Sequence, residues 1–320
     1  MEIKKQQPPR ILARYDLLLD CLPSTHPKRP AVQHDYFNHR AGYAGESQLP
    51  YYMQFLKEEP LILYQPRLEN GQKRYFQMDA VVVTPHFLLI TEVKNYKGEL
   101  RLEPQFAQLI QSTKGEEKVY PCPIQQSRRQ ELQLKAWLTS NGFPSIPVYS
   151  HICIANDYSR ITCDQPVPNF SHITKLPAVY QTLLEQNKRK YLAADKCRIL
   201  AEKLAASHVP EPGDLLKKYD LSPEELSLQV SCPSCEEGYM VRAFGRWSCC
   251  LCRTAQPETP QRLFRCYGLF IGRTITVREA SRLLNISSLS TVRRILYPYV
   301  DKQSGKTKKS IYRWKEDLLS

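Results

Sequence analysis

The chain has no uninterrupted apolar run long enough to span a bilayer. Its opening residues, Met1 to Pro9, hold no apolar stretch of the kind that directs secretion. It has no internal repeat and no long low-complexity segment. No basic helix with bulky apolar residues on its other side stands out, which argues against a membrane surface as a partner. These absences lead to the expectation of a cytoplasmic protein without a membrane partner. Acidic residues are also short, with 32 Asp and Glu against 45 Lys and Arg, for a formal charge of +13. Such an excess points to an acidic partner, above all nucleic acid. Residues 261–320 hold 13 basic and 4 acidic side chains, a net +9, so most of the excess lies in the last sixty residues. At 320 residues there is room for two or three domains.

What is present centres on Asp79 and, thirteen residues later, Glu92 and Lys94. Asp79 opens the run Ala80-Val81-Val82-Val83, and Glu92 and Lys94 end the run Phe87-Leu88-Leu89-Ile90-Thr91. Both runs read as buried strands, broken at Thr84-Pro85 by a tight turn. Glu92 and Lys94 are two apart, so they share one face of the strand, with Val93 opposite. The hairpin partner can bring Asp79 beside them. A Glu-x-Lys triplet on a strand is usually a solvated ion pair, but these neighbours are apolar, and buried charges need partners. Two converging carboxylates repel unless one is protonated or a cation lies between them. Mg²⁺ or Mn²⁺ suits such a site, with Asp79 and Glu92 as ligands and the Val93 carbonyl as a third. A lysine beside that metal positions or activates a water, an arrangement fit for phosphodiester hydrolysis.

These residues resemble the signature of the PD-(D/E)XK nucleases. More narrowly, residues from about 40 to 155 resemble the nuclease-related domain. Gly42-Tyr43-Ala44-Gly45-Glu46 resembles a glycine-rich entry with a glutamate at the start of the first helix, placed here from about Gly45 to Glu58. Glu92-Val93-Lys94-Asn95-Tyr96-Lys97-Gly98 is similar to the extended core motif. Cys122-Pro123-Ile124-Gln125-Gln126 resembles an Asn-Pro-x-x-Gln element, with Cys122 in place of Asn. The resemblance implies a restriction-endonuclease-like α/β core, with a mixed sheet flanked by helices. It also implies metal-dependent cleavage that leaves a 5′-phosphate. Glu46 and Gln126 join Asp79, Glu92 and Lys94 as candidate catalytic residues, Glu46 toward a second metal or water and Gln126 toward the substrate backbone. Glu46 alone would be an ordinary early-helix carboxylate, and Gln126 an ordinary helix-face residue. Strands are expected near 61–66, 74–84, 86–95, 97–103 and 147–155. Helices are expected near 123–141 and, split at Asn187, over 177–208.

Eleven cysteines in a small secreted chain would suggest disulfides. This chain is long and lacks a secretory signal, and four of its cysteines have metal-ligand spacing, so a reducing compartment fits better. Cys232-x-x-Cys235 and Cys249-x-x-Cys252 can set four thiolates around one structural Zn²⁺, as in a zinc ribbon. Cys250 is an extra, and Cys249 is the ligand because it completes the second pair. Farther on, Thr276-Val277-Arg278-Glu279 is a capping box that opens a helix. A turn at Asn285–Ser287 leads to a second helix that exposes Ser290, Arg293 and Arg294. Lys306, Lys308 and Lys309 lie on a basic hairpin wing. The order reads as a winged helix that binds nucleic acid, most simply DNA. A small helical module with a merely solvated basic face is the plainer alternative.

The expected organisation is an N-terminal helix and linker over 1–35, a nuclease-like domain over 36–175 and a helical connector over 176–230. A zinc ribbon over 231–260 and a basic nucleic-acid-binding module over 261–320 complete it. The function expected is that of a Mg²⁺-dependent nuclease. The alternative is a non-catalytic DNA-binding regulator that keeps a nuclease-like core as a scaffold.

Overall fold

A computed structural model describes residues 1–211, 213–230, 232–235, 237–304 and 310–319. They form two compact units, Met1–Pro8 with His39–Glu211 and Pro9–Asn38 with Pro212–Ser320. Among the described residues no helix is long and apolar enough to cross a membrane.

The first unit is built on a mixed sheet in the order Glu2–Lys4, Leu61–Tyr64, Ala80–Val83, Leu88–Lys94, Val148–Ile154, Phe170–His172. Ala80–Val83 lies antiparallel between Leu61–Tyr64 and Leu88–Lys94, and Val148–Ile154 runs parallel to the latter. Helices cover both faces, which is why the central strands are near-continuous Val, Leu and Ile rather than alternating. Val81, Val83, Leu88 and Ile90 share a core with Leu134 and Leu138 of the helix Pro123–Ser140 and Leu200 and Leu204 of the helix Ala194–Ala206. Val82, Leu89 and Val93 pack instead with Leu49, Met53 and with Tyr180 of the helix Leu176–Gln186. The turn at Thr84 is fixed by its hydroxyl oxygen, which accepts the N–H groups of His86 and Phe87 at 3.1 and 3.0 Å. A second sheet orders Arg160–Cys163, Glu99–Glu103, Gln108–Thr113 and Glu116–Pro121. This is a mixed α/β architecture, the class expected of a nuclease-like core.

One helix departs from expectation. The segment read as beginning near Gly45 is instead the end of a long helix, Arg29–Glu46, followed by the short helix Leu49–Met53. The prolines up to Pro30 read as a linker, yet Pro30 is the second helical residue, where a missing N–H costs nothing. Gly42 and Gly45 lie inside the helix rather than before it. Gly45 is there for close approach: a Cβ on it would stand 2.8 Å from the Asn95 Cβ and 3.3 Å from that of Ala155. Asn95 Nδ2 also donates to the Ala41 carbonyl at 2.7 Å, which ties the helix to the end of the Glu92 strand.

In the second unit the helix Arg10–Cys21 meets the helix Thr259–Cys266, where Arg262 pairs with Asp16 at 2.9 Å and with Asp20. The hairpin Met240–Ala243 with Arg246–Cys249 turns at Phe244 and Gly245, both at positive φ (48° and 81°). The strand Thr274–Thr276 leads into the helix Val277–Leu284. Thr276 caps this helix in a reciprocal box with Glu279, and Asn285 ends it at φ 50°. The helix Leu289–Leu296 follows, capped by Ser288. Strands Val300–Ser304 and Ile311–Trp314 then pair, and Ile311–Trp314 also pairs with Thr274–Thr276. Lys306, Lys308 and Lys309 lie outside the described residues.

Gly45→Ala tests the close approach. Overpacking typically costs ~1–3 kcal/mol, while alanine returns about 1 kcal/mol of helix propensity. A net destabilisation is therefore expected, read as a lower urea midpoint. A raised midpoint would show that the helix and Asn95 are not so tightly packed.

Candidate active site and cysteine cluster

The antiparallel register places Ala80 opposite Thr91, so Asp79, one residue before, falls opposite Glu92. Asp79 Oδ2 accepts the Val93 N–H at 2.7 Å and is thereby anchored to the neighbouring strand. Glu92 is only 4% exposed. Its Oε1 accepts Lys94 Nζ at 2.7 Å and Gln126 Nε2 at 2.6 Å, and its Oε2 accepts Gln130 Nε2 at 2.8 Å. Lys94 Nζ also donates to Gln126 Oε1 at 3.0 Å. Glu92, Lys94 and Gln126 thus form a closed triangle of short contacts. Glu46 comes from the last turn of its helix, and its Oε2 accepts Gln65 Nε2 at 2.8 Å. That position is the opposite of the expected one. A carboxylate in the last helical turn is not favoured by the helix dipole, so local helix electrostatics do not account for Glu46.

The electrostatics are lopsided. Burial raises the Asp79 carboxyl well above the ordinary range, and the nearby Glu92 and Glu46 raise it further. The Val93 N–H and Lys94 pull it down only in part. Burial likewise raises Glu46, against the Gln65 hydrogen bond. Burial would lower Lys94, but the Glu92 and Asp79 carboxylates outweigh it and its pKa is raised, so the ammonium stays charged at neutral pH. One cation faces three carboxylates. Each carboxylate oxygen has two lone-pair positions. Glu92 Oε1 is filled by its two donors, while Glu92 Oε2 and the Asp79 carboxylate retain acceptor capacity for a cation.

Two residues of this site are not part of any motif in the sequence. Gln130 holds Glu92 Oε2 and also donates to the Gln77 carbonyl at 2.9 Å, two residues before Asp79. The one signal for it is spacing: Gln126 and Gln130 are one helical turn apart on the same face. Gln65 sits at φ 52°, its N–H donating to the Asp79 carbonyl at 2.9 Å while its side chain holds Glu46. Nothing in the sequence marks it. Cys122 sits at the N-cap of the helix Pro123–Ser140 and makes no side-chain capping bond. It is buried instead among Leu100, Leu109 and Ile124. A side-chain cap is absent there, but the helix register is kept, and Gln126 reaches Glu92.

In the second unit the Sγ atoms of Cys232, Cys235, Cys249 and Cys252 all lie within 4.8 Å of one another. Cys232–Cys252 and Cys235–Cys249 are 3.5 and 3.6 Å apart. Four sulfurs about 2.3 Å from one tetrahedral Zn²⁺ would be about 3.8 Å apart, close to this spacing. Backbone N–H groups of Leu251 and Cys252 point at Cys249 Sγ at 3.3 and 3.4 Å, and that of Ser234 at Cys232 Sγ at 3.4 Å. The Thr254 hydroxyl and N–H hold Cys252 down to about 6, the thiolate direction. Cys250 is outside the cluster, with Tyr239 N–H on its sulfur at 3.5 Å. Among the described residues these four cysteines are the only group of three or more such ligands drawn this close, so Glu46, Asp79 and Glu92 are more loosely set. On the helix Leu289–Leu296, Ser290 and Arg294 are exposed and Arg293 is half-buried.

Asp79→Asn keeps an acceptor for the Val93 N–H and removes the charge. The Asp79 carboxyl is raised on folding, so its protonated form favours the fold at low pH, and that contribution is lost as pH rises through the folded value. In metal-free buffer the variant should therefore be more stable than wild type at pH 7 to 8. A tenfold difference in proton affinity between the folded and unfolded chain is worth about 1.4 kcal/mol, so a gain of that order is expected in urea unfolding. The gap should close toward pH 4. An unchanged or lower midpoint at pH 8 would mean that the charge is already balanced.

No curated protein and no solved structure matches this chain. A family model does: residues 41–155 match the nuclease-related domain. That span takes in Glu46, Asp79, Glu92, Lys94 and Gln126 together with the added Gln65 and Gln130, and the chain therefore carries a nuclease-related domain.

Proposed function

We propose that the chain is a metal-dependent nuclease that hydrolyses phosphodiester bonds of nucleic acid, DNA in the first instance. The observation that carries this reading is the charge imbalance: three carboxylates face one ammonium at the end of a buried hairpin. Asp79 and Glu92 would hold Mg²⁺ or Mn²⁺, with the Val93 carbonyl as a third ligand. The metal supplies Lewis acidity toward a phosphoryl oxygen and a more acidic bound water. Gln126 and Gln130 orient the Glu92 carboxylate so that Oε2 keeps a free position. Lys94, whose pKa the Glu92 and Asp79 carboxylates raise, positions or activates a water or meets developing negative charge. Gln126, bonded to both Lys94 and Glu92, couples the charged pair to the substrate side. Glu46, held by Gln65, adds a carboxylate for a second metal or a water.

The four cysteines would hold a structural Zn²⁺, since four thiolates leave no open position for chemistry. The residues from Thr274 to Trp314 would work as a winged helix, with Ser290, Arg293 and Arg294 toward nucleic acid. Lys306, Lys308 and Lys309 extend the same basic character in sequence.

A second reading has its own support. Glu92 receives three N–H donors from the protein itself, the arrangement of a buried carboxylate held for structure. A binding regulator with a nuclease-like core would be built in this way.

Cleavage separates the two. Wild type incubated with circular and linear DNA should cut in Mg²⁺ or Mn²⁺ and not in EDTA, and Glu92→Ala should be inactive. Gln130→Ala should retain cutting reduced by ~10–100-fold, as for loss of a residue that orients a metal ligand. Intact DNA with wild type in both metals, under conditions where the protein binds it, would favour the regulator.

A further inference from the structure

We propose that a cleft in the second unit takes one phosphate-bearing nucleotide. The cleft has a volume of about 400 Å³ and is lined by Arg278, Arg293, Lys302, Tyr297, Tyr312 and Ser310 over an apolar floor of Val277 and Leu289. That volume is in the range of small-ligand sites, roughly 300–1,000 Å³. Its cations come from three different elements. Arg278 lies in the first turn of the helix Val277–Leu284, Arg293 on the helix Leu289–Leu296, and Lys302 on the strand Val300–Ser304. Among the described residues none of the three pairs with a carboxylate. The adjacent acid, Glu279, is occupied by Thr276, whose N–H and hydroxyl donate to it at 2.7 and 2.8 Å. Asp301 precedes Lys302 on a strand and so points to the other face.

Three like charges around one concavity repel, and an anion between them removes the penalty. The aromatic wall narrows the anion to a nucleotide. Tyr297 and Tyr312 have ring centroids 5.3 Å apart and hydroxyls 3.0 Å apart. Tyr297 is 44% exposed and offers a ring face to a base, whereas Tyr312 is 9% exposed and backs it. Cations for the phosphate beside an exposed ring for the base is the combination used to hold single strands and their ends. The geometry also divides the helix Leu289–Leu296. Leu289 and Arg293 are four apart, and with Tyr297 they face the cleft, which leaves Ser290 and Arg294 on the exposed side.

This inference deepens the binding role proposed for the module and does not need the chemistry at Asp79 and Glu92. The test uses the full chain in magnesium-free buffer. Anisotropy is measured with a labelled single strand carrying a 5′-phosphate, the same strand with a 5′-hydroxyl, and dAMP as competitor. The proteins are wild type, Arg278→Ala/Lys302→Ala, and, as a charge control, Arg246→Ala at an exposed arginine of the strand Arg246–Cys249, outside the cleft. Arg278 and Lys302 are exposed, so the double variant should melt like wild type. The double variant should bind both strands ~10-fold or more weakly and lose about 1.4 from the slope of log K against log salt, two contacts at about 0.7 each. dAMP should displace the strand from wild type. A preference for the 5′-phosphate strand would place a strand end in the cleft, and equal affinities would place an internal phosphate there. The inference is overturned if the double variant keeps both the affinity and the salt slope of wild type, or if wild type binds neither strand nor dAMP. Cleavage by the same preparations reports on the nuclease separately. A protein that binds through the cleft yet never cuts sinks the nuclease and leaves the cleft standing.

Discussion

Burying charge is the constraint on which the first unit depends. The strands of its central hairpin, Ala80–Val83 and Leu88–Lys94, are buried on both faces as far as Val93, and its end holds Asp79, Glu92 and Lys94. Carboxylates so placed are retained only if donors or cations meet them. The surrounding elements supply those partners one by one. The Val93 N–H meets Asp79, the helix Pro123–Ser140 sends Gln126 and Gln130 to Glu92, and Gln65 meets Glu46. The donors satisfy the hydrogen-bonding requirement without supplying positive charge. Lys94 alone does that, against three carboxyl groups. Glu92 Oε2 and the Asp79 carboxylate keep acceptor positions beyond these donors, and the proposed cation site rests on them.

Much of this was readable in the chain. Alternation along the strand put Glu92 and Lys94 on one face and Val93 on the other. The Thr84-Pro85 break set the hairpin that brings Asp79 across. The start of the helix Pro123–Ser140 was legible through the resemblance of Cys122 to Gln126 to an Asn-Pro-x-x-Gln element, even with Cys122 in place of Asn. The helix Arg29–Glu46 was harder, because Pro30, Gly42 and Gly45 all read as breaks. Pro30 is harmless in a first turn, and Gly45 is required by Asn95 rather than by a turn. Packing against an element distant in sequence decided Gly45, and no local signal reports it. Gln65 was hidden for the same reason: its role depends on Glu46 and Asp79 meeting from three separate segments.

The second unit follows a different logic. Its hairpin Met240–Ala243 with Arg246–Cys249 is short, and a two-stranded hairpin is marginal by itself. The four sulfurs beside it lie close enough together to share one metal ion, which would restrain the hairpin. Cys232, Met240, Trp247 and Cys249 nevertheless share a core with Phe264, Ala280, Leu284 and Val292, so the cysteine segment and the helices after it pack as one body. The capping box at Thr276 and the Ser288 cap fix the two helix starts. Arg278 and Arg293 are thereby carried to the same cleft. The net +9 of residues 261–320 is not spread evenly as a solvated face, since part of it converges.

The central claim is that Asp79 and Glu92 form a divalent-cation site. Titration calorimetry of the zinc-loaded full chain with Mn²⁺ tests it most directly, because it needs neither substrate nor turnover. The account predicts saturable Mn²⁺ binding in wild type, lost in Asp79→Asn and kept in Cys250→Ser. Heat of dilution alone in wild type, or identical binding in the Asp79→Asn variant, would contradict it.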